Sequence, residues 1–354
     1  MIPETSWTVQ FGSSSEDQGR HLAVDCQGDI YIIGHTEGVL GDNLTENLGE
    51  WDAYVRKLSG VDGRAIWTRQ FGTATDDRAH GVAINSEGDV IVTGVYRGLS
   101  VGEASGWGDV FLAKLAGATG EELWLRQYTT IETEFAFDVT VDSQDEIVVV
   151  GYMGTTDWDG FTRKFSGEDG ALLWETRFGT DVSDVAHASV VNDEDDIFVV
   201  GQTNGNLGGE GSAGSVDTFI RRIDGATGNE QWTVQFGSNQ QDYGHGIALA
   251  LDGDIVVGGS VGSDASIDGQ PSEGSSDGFV RKVSAVDGGE IWTEQWGTSE
   301  SEEVWNVAID DAGNVFISGR TYGDLGGINL GYGDHYIQEL DGTTGHIRLL
   351  EETS

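Results

Sequence analysis

The chain has few cysteines, few lysines and no long apolar run, and each scarcity excludes a class of protein. Among 354 residues there is one cysteine, Cys26, which excludes intramolecular disulfides and sites of several thiolates around zinc or an iron–sulfur cluster. No apolar run approaches the roughly 18 to 20 residues that a membrane-spanning helix needs, so we expect no membrane insertion. The 55 glycines, each costing about 1 kcal/mol inside a helix, exclude an all-helical protein.

Positive charge is also scarce. The 18 basic residues, of which four are lysine, face 61 acidic ones, which gives a formal net charge of -43. Because affinity for nucleic acid depends on cationic contacts to phosphates, we expect no nucleic-acid partner. Self-repulsion of this size predicts a salt-adapted protein that loosens when salt is removed. The alternative is an acidic surface that is indifferent to salt.

Most of the chain repeats one unit of 50 to 60 residues. Its marker is W-x-x-Q-F-G or a close variant, which begins at Trp7, Trp67, Trp124, Trp174, Trp232 and Trp292. Each unit also contains a strand of small and branched residues (a), a β-branched strand (b) and a strand that begins with aspartate (c). The Trp segment forms the fourth strand (d). The strand-c aspartates are Asp52, Asp109, Asp159, Asp217, Asp277 and Asp334.

Four short strands joined by glycine-bearing turns predict an antiparallel meander, since no segment offers an amphipathic helix. Six such sheets that bury both faces predict a six-bladed β-propeller, which protects the strand edges. We expect a single domain, 1–354, with repeats at approximately 7–66, 67–123, 124–173, 174–231, 232–291 and 292–354. Seven blades or incomplete closure are the alternatives. For the last blade we favour a closing strand at Trp7 over the terminal segment 346–352.

The repeat resembles the SBBP class of bacterial β-propeller repeats, through W-x-x-Q-F-G, the D-I-x-V-x-G strand and the aspartate that opens strand c. Its a–b hairpin is similar to that of NHL repeats, and GATGEELW (117–124) resembles the tryptophan-docking motif of quinoprotein propellers. The family name implies seven blades. The resemblance also implies an extracellular or cell-surface location, whereas the opening MIPETSWTVQ lacks the basic and apolar regions of a signal peptide and leaves the compartment unknown.

Features that recur in every unit predict structural roles. We expect the six repeat tryptophans to pack between blades. The strand-c aspartates, and a second acidic column, are expected to cap loop amides or to pair with the bases of strand c. Calcium, which takes carboxylate and carbonyl oxygens, is the alternative ligand of these columns. The second column comprises Asp17, Asp77, Glu134, Asp184, Asp242 and Glu302.

The d–a and b–c connections of a meander emerge on one face, here called the long-loop face. The b–c connections vary in length, and such variation on a rigid scaffold is where binding specificity usually lies. Aromatic residues near the ends of these loops are candidates for contact with a protein or glycan partner. They are Trp51, Trp107, Trp158 and Tyr332.

Two small sets of residues offer chemistry beyond binding. His80, His187 and His245 follow the second acidic column by three positions, and neutral imidazoles there are candidate metal ligands. The polar residues His21, Asp138 and Asn306 replace small residues of one column and are the candidate catalytic set.

No sequence motif of a known catalytic class accompanies these residues. We therefore favour a non-catalytic binding propeller that recognises a protein or glycan through the long-loop face. A metal-dependent hydrolase or lyase at the mouth of the central channel, or a structural block of a larger assembly, is the alternative.

Overall fold

The computed structural model describes residues 7–41, 46–97, 108–208, 214–267, 269–270, 272–327, 329 and 331–348. Within these ranges the regular structure is entirely β, and each repeat contributes strands in the predicted order. The first strands, a, begin at or next to the second acidic column. They are β1 (Asp17–Val24), β5 (Asp77–Ile84), β9 (Thr133–Val141), β13 (Asp184–Val191), β17 (Asp242–Leu249) and β21 (Glu302–Ile309).

Strands b are the β-branched runs, and most of their residues are buried. They are β2 (Ile30–Thr36), β6 (Val90–Tyr96), β10 (Ile147–Gly154), β14 (Ile197–Thr203), β18 (Ile255–Val261) and β22 (Val315–Thr321). Strands c begin at or beside the repeated aspartate. They are β3 (Asp52–Leu58), β7 (Asp109–Leu115), β11 (Trp158–Phe165), β15 (Asp217–Ile223), β19 (Asp277–Val283) and β23 (Asp334–Leu340). Strands d are β4 (Ala65–Phe71), β8 (Glu122–Tyr128), β12 (Leu172–Phe178), β16 (Glu230–Phe236) and β20 (Glu290–Trp296).

Each repeat forms one antiparallel sheet in the order a-b-c-d, a blade. In the described residues the sixth blade has three full strands, and its fourth position is begun by a bridge between Leu340 and Ile347. The predicted fold class, an all-β six-bladed propeller of four-stranded antiparallel blades, is confirmed.

The chain forms two compact units. One comprises Met1–Thr156 and Thr162–Glu175, and the other comprises Asp157–Phe161 and Thr176–Ser354. The first unit contains β1 to β10, the second contains β13 to β23, and the residues of β11 and β12 are divided between them. The single domain expected from the repeats stays a prediction.

The a–b hairpins have the predicted backbone. Gly28, Gly88 and Gly313 have φ of 84°, 81° and 83°. Asp145 and Asp195, which replace glycine in the third and fourth blades, have φ of 61° and 62°. Aspartate tolerates this left-handed region better than most residues, so the turn survives both substitutions.

The repeat tryptophans dock on the c–d turn of the following blade. Trp67 is 7% exposed, and its Nε1 donates to the carbonyl of Gly117 at 3.0 Å while its ring lies beside Gly120. In the second unit Trp232 repeats this contact with the carbonyl of Ala285 at 3.3 Å. Trp124 and Trp292 likewise lie against turn glycines, and Trp174 is half-buried. The contact joins successive blades through one large apolar side chain.

The N-terminal segment takes the same docking position without forming a strand. Residues 7–16 carry no strand, yet Trp7 Nε1 donates to the carbonyl of Gly60 at 3.1 Å, in the c–d turn of the first blade. At the other end of the chain, the amide of Arg348 donates to the carbonyl of Glu339 at 2.9 Å, beside β23. The sixth blade therefore draws the start of its fourth strand from the C-terminal segment, and closure by Trp7 stays a prediction.

Candidate functional site

The acidic residue that opens strand a caps the loop before it. In Asp17, Asp184, Asp242 and Glu302, a carboxylate oxygen accepts the amide proton of the serine or threonine four positions earlier, at 2.5 to 2.6 Å. Threonine hydroxyls of strand b add a second bond in several blades, as from Thr321 to Glu302 at 2.7 Å. These carboxylates satisfy backbone donors that the turn would otherwise bury.

The glutamine of W-x-x-Q-F-G holds the b–c loop to the strand-c aspartate. Gln295 Nε2 donates to Asp277 Oδ2 at 2.7 Å and to the carbonyl of Ala265 at 2.9 Å, while its Oε1 accepts the amide of Ile267 at 3.0 Å. The same three kinds of bond recur at Gln70 and Gln235. In the third blade Arg177 replaces the glutamine and bonds Asp159 at 2.7 Å. The repeated motif thus positions the loops of the long-loop face.

Carboxylates from two successive blades face one another across the glycine of this motif. A Cβ on Gly72 would lie 2.9 Å from Asp52 Oδ1 and 2.7 Å from Asp77 Oδ2. The same holds at Gly237, between Asp217 Oδ1 and Asp242 Oδ2, at 2.5 and 2.7 Å. A side chain here would collide with both carboxylates, which explains the glycine. We call Asp52 with Asp77, and Asp217 with Asp242, junction carboxylates.

Burial raises the pKa of two of the junction carboxylates, Asp77 and Asp242. Asp77 has no exposed surface, and burial, together with the charge of Asp52, raises its pKa to about 7 against the lowering effect of hydrogen bonds from Thr73. Burial also raises the pKa of Asp242, with the charge of Asp217 as a smaller cause. Desolvation favours the neutral form of a carboxyl group, so a proton neutralises part of this charge near neutral pH.

The bases of strand c pair mainly with acids of the a–b turns. Lys57 Nζ lies 3.1 Å from Asp25 Oδ2, and Lys282 Nζ lies 2.6 Å from Asp252 Oδ2. Arg163 does reach the second acidic column, where its Nη2 lies 2.7 Å from Glu134 Oε1. Most of the ion pairing expected for the rim columns is therefore found at the opposite end of the blades.

The long loops of successive blades are joined by backbone hydrogen bonds. The amide of Asp242 donates to the carbonyl of Val216 at 2.9 Å, and that of Glu302 to Ser276 at 2.8 Å. Val216 and Ser276 precede strands c, and each forms a parallel bridge with the residue that precedes the next strand a. The b–c and d–a connections thus share one face, as the meander predicts.

Within the second unit this face carries a recess of about 700 Å³, formed by the fourth, fifth and sixth blades. Its wall is rich in hydroxyl and amide groups. The serines are Ser215, Ser260, Ser263, Ser275, Ser276 and Ser301, and the glutamines are Gln202, Gln240 and Gln241. Tyr243, His245, Glu303 and Trp305 complete the polar and aromatic lining. We call this cavity the recess.

The aromatic side chains of the recess project from the first residues of two neighbouring strands a. Tyr243 and His245, two positions apart on β17, have nearly parallel rings with centroids 6.1 Å apart. Trp305 on β21 is 38% exposed, and its Nε1 donates to Glu303 Oε2 at 3.0 Å. The Tyr243 hydroxyl bonds Gln241 Oε1 at 3.1 Å. These bonds hold both rings in defined orientations.

The aromatic residues predicted for the loop ends have different surroundings. Trp51 contacts the buried His35 edge-on at 4.8 Å and lies under the Arg78 guanidinium at 5.8 Å, so it is part of a packed cluster in the first unit. Trp158 is 41% exposed and Tyr332 is 96% exposed. Trp107 lies outside the described residues. Their role in ligand contact stays a prediction.

The three histidines predicted as metal ligands are engaged with protein groups. His80 Nδ1 lies 3.0 Å from the carbonyl of Ala136, and its ring stacks on Phe135 at 4.6 Å. In the second unit the rings of His187 and His245 are 5.2 Å apart, and His187 Nε2 lies 3.1 Å from Gln202 Oε1. Burial lowers the pKa of His80 and of His187 to about 3 and that of His245 to about 4, so all three are neutral at pH 7.

No group of three or more His, Cys, Asp or Glu side chains is arranged to hold a metal within the described ranges. The three-histidine metal site and calcium at the acidic columns stay predictions. No helix among the described residues is long and apolar enough to cross a membrane.

Two of the candidate catalytic residues, Asp138 and Asn306, lie where successive strands a approach closely. A Cβ on Gly81 would lie 2.9 Å from the Cα of Asp138, and one on Gly246 would lie 2.9 Å from the Cα of Asn306. The small residues of this column thus accommodate the backbone of the following blade. His21 is half-buried beside the bulge of β1. A catalytic role for His21, Asp138 and Asn306 stays a prediction.

Sequence reasoning missed Tyr243 and the serines as site residues. Serine in a loop is ordinarily a turn former, and only the pairing of neighbouring loops places these hydroxyls around one cavity. The sequence signal that was available is the local enrichment of serine, since Gly262–Ser263 and Ser275–Ser276 lie at the two ends of the fifth b–c loop.

Two family models match parts of the chain. The model of the SBBP β-propeller repeat matches residues 6–41, and the model of the outer membrane protein assembly factor BamB matches residues 108–270. The regulatory protein FlaEY of Caulobacter vibrioides is 32% identical over 104 residues, a match that covers 28% of this chain and 11% of that protein. The chain thus spans about a tenth of the curated relative that it matches.

Solved structures share the architecture at low identity. The K499G mutant of the NanB sialidase of Streptococcus pneumoniae has a TM-score of 0.56 and 8% identity, over 89% of this chain and 67% of that one. A protein of unknown function from Dyadobacter fermentans has a TM-score of 0.52 and 11% identity, over 93% and 95%. These likenesses show the fold alone. The predicted resemblance to the SBBP β-propeller repeat is confirmed.

Proposed function

We propose that the protein is a binding propeller that recognises a macromolecular partner, protein or glycan, through the long-loop face. The recess carries this proposal, because it is a cavity of about 700 Å³ on that face with polar and aromatic walls. Concave sites with a few well-placed polar groups are the usual location of ligand binding.

The division between repeated and unrepeated residues supports the proposal. The repeated tryptophans, glutamines and acidic residues make contacts that hold the blades and loops together. By contrast, Ser263, Tyr243 and Trp305 belong to no repeated motif, and they line the recess. Specificity on a repeat scaffold is carried by such variable positions.

The similarity to BamB adds weight to a protein as the partner. BamB is an outer membrane protein assembly factor by name, and its family model matches residues 108–270. That range includes strands of the second to fifth blades and part of the recess wall.

Filling the recess tests the proposal. Ser263→Trp places a bulky side chain at the recess wall, and Leu251→Trp is the matched control, because Leu251 is 67% exposed on an a–b turn at the opposite end of the blade. Both variants and the unmodified protein are applied to a printed panel of oligosaccharides and extended peptides, after their melting temperatures have been compared.

We expect the unmodified protein and Leu251→Trp to bind one class of probe, and Ser263→Trp to bind it at least about tenfold more weakly. The proposal fails if neither class binds the unmodified protein. It also fails if the folded Ser263→Trp variant binds as tightly as the control.

A further inference from the structure

We infer that the recess binds a neutral carbohydrate, with a sugar ring packed on Trp305 and its hydroxyls bonded to the serines and glutamines of the wall. The inference rests on the proposed function and adds the class of ligand. The cavity of about 700 Å³ lies within the range of roughly 300 to 1,000 Å³ that is usual for small-ligand sites, so it has room for a short oligosaccharide.

The first argument is the density of groups that both donate and accept hydrogen bonds. Ser260, Ser263 and Ser301 present hydroxyls, and Gln240 presents an amide with both donors and an acceptor. Sugar hydroxyls have the same dual character. An apolar ligand would desolvate these groups without replacing their bonds to water, at about 1 to 3 kcal/mol for each group left unpaired.

The second argument is charge. Among the described lining residues there is no lysine or arginine, and Glu303 is negative. His245 also lines the recess and is neutral, because burial lowers its pKa to about 4. A phosphorylated, sulfated or uronic-acid ligand would therefore meet a negative carboxylate without a compensating cation. The wall favours an uncharged ligand.

The third argument is the presentation of Trp305. Its indole is 38% exposed, yet its orientation is set by the bond to Glu303 and by an edge contact with His335 at 5.4 Å. The C–H groups on one side of a pyranose ring form an apolar face that packs on an aromatic ring, while the equatorial hydroxyls point outward. A fixed, half-exposed indole can pack on the apolar face of the sugar, while the hydroxyl-bearing walls beside it bond the sugar hydroxyls.

A peptide fits the same walls less well. Peptides gain affinity mainly by adding a strand to a sheet edge or by placing side chains in apolar pockets. At the rim of the recess the backbone is already paired between blades, through Val216 with Asp242 and Ser276 with Glu302. The lining itself is mostly serine and glutamine, which form no apolar pocket.

The test is fluorescence anisotropy with labelled neutral oligosaccharides of the cellulose, xylan, chitin and α-glucan series, alongside sulfated oligosaccharides and extended peptides. The variants are Trp305→Ala and Ser263→Trp. Leu251→Trp is again the control, because Leu251 is 67% exposed on an a–b turn and lies outside the recess. We expect at least one neutral series to bind, with an affinity at least about tenfold lower in both recess variants and unchanged in the control.

The other outcomes separate the two proposals. If only peptides bound, and Ser263→Trp weakened that binding, the carbohydrate inference would be overturned, whereas the proposed binding function of the long-loop face would be supported. A preference for sulfated ligands would overturn the argument from charge and with it the inference. If both recess variants still bound a neutral glycan, the ligand site would lie elsewhere on the protein, and the assignment of the glycan to the recess would be overturned. Failure of every probe would overturn both proposals.

Discussion

Replacing Asp77 by asparagine should remove a pH-dependent destabilisation of the folded protein. Asp77 and Asp52 are junction carboxylates that face each other across Gly72. Burial, and to a smaller degree the charge of Asp52, raises the pKa of Asp77 to about 7, although hydrogen bonds from Thr73 oppose the rise. The folded state therefore retains a proton over a range of pH in which the unfolded chain releases it.

The size of the stability change follows from the difference between the folded and unfolded pKa of Asp77. An aspartate in the unfolded chain has a pKa of about 3.9, and each unit of difference corresponds to about 1.4 kcal/mol. A folded pKa of about 7 gives a contribution of about 4 kcal/mol that is fully present below pH 4 and is lost as the pH rises to 7. Because asparagine does not ionise, Asp77→Asn lacks this loss, and its stability relative to the unmodified protein should rise by about 4 kcal/mol between pH 4 and pH 8.

The assay is urea unfolding at several pH values between about 4 and 8, at a fixed ionic strength of about 0.5 M so that screening is constant. Asp62→Asn is the control. Asp62 lies on an exposed turn, where a hydrogen bond from Ser59 lowers its pKa, so its stabilisation is lost only as the pH falls below the ordinary range of an aspartate. The stability difference for Asp62→Asn should therefore stay nearly constant across the pH range of the assay. A stability difference for Asp77→Asn that stays constant with pH, or that falls, would refute the reasoning.

Four further measurements test other features. Trp67→Ala removes a 7% exposed side chain and should lower the free energy of unfolding by about 3 to 5 kcal/mol, whereas Leu251→Ala, at a side chain that is 67% exposed, should change it by less than about 1 kcal/mol. Equal losses would contradict the docking role of Trp67. Gln295→Leu removes the side-chain donor to the buried Asp277 and leaves it the amide of Glu273, which should destabilise the fold by about 1 to 3 kcal/mol and speed amide exchange at Ile267. Unchanged exchange at Ile267 would contradict the role of Gln295 in holding the loop. If the acidic columns bind calcium, calcium added to chelator-treated protein at constant ionic strength should raise the free energy of unfolding by about 2.7 kcal/mol at 100 times its dissociation constant. No change in stability would mean that these carboxylates only cap loop amides or share protons. Lowering NaCl from about 2 M to about 10 mM should lower the melting temperature through self-repulsion of the -43 charge, and an unchanged value would contradict salt adaptation.

The repeat pattern predicts the blades well, because strand period and turn chemistry are local properties. Strand b is read from its β-branched run, and the left-handed turn residues Gly88 and Asp145 are read from the hairpin pattern. The common face of the long loops also follows, since it depends only on the order of strands. Six four-stranded blades could thus be predicted without any knowledge of side-chain contacts.

The site could not be read in the same way, because it depends on pairings between residues far apart in sequence. Gln70 was visible as a repeated residue, but its partner Asp52 lies 18 positions earlier, on a strand whose register the sequence does not reveal. Trp51 has the position of a loop-tip ligand contact, yet the folded loop places it against His35. Tyr243 became a candidate only when two neighbouring loops were seen to enclose one cavity.

The docking of Trp67 and Trp232 on the following blade gives the chain a direction during synthesis. Trp67 is made about 50 residues before its acceptor Gly117, and Trp232 precedes Ala285 by 53 residues. The newest complete blade on a ribosome therefore exposes one indole until the next c–d turn has emerged. Folding from the N-terminus, one blade at a time, would limit the growing chain to a single unsatisfied aromatic surface. A pause in translation within a blade would prolong that exposure, and a pause just after a c–d turn would end it.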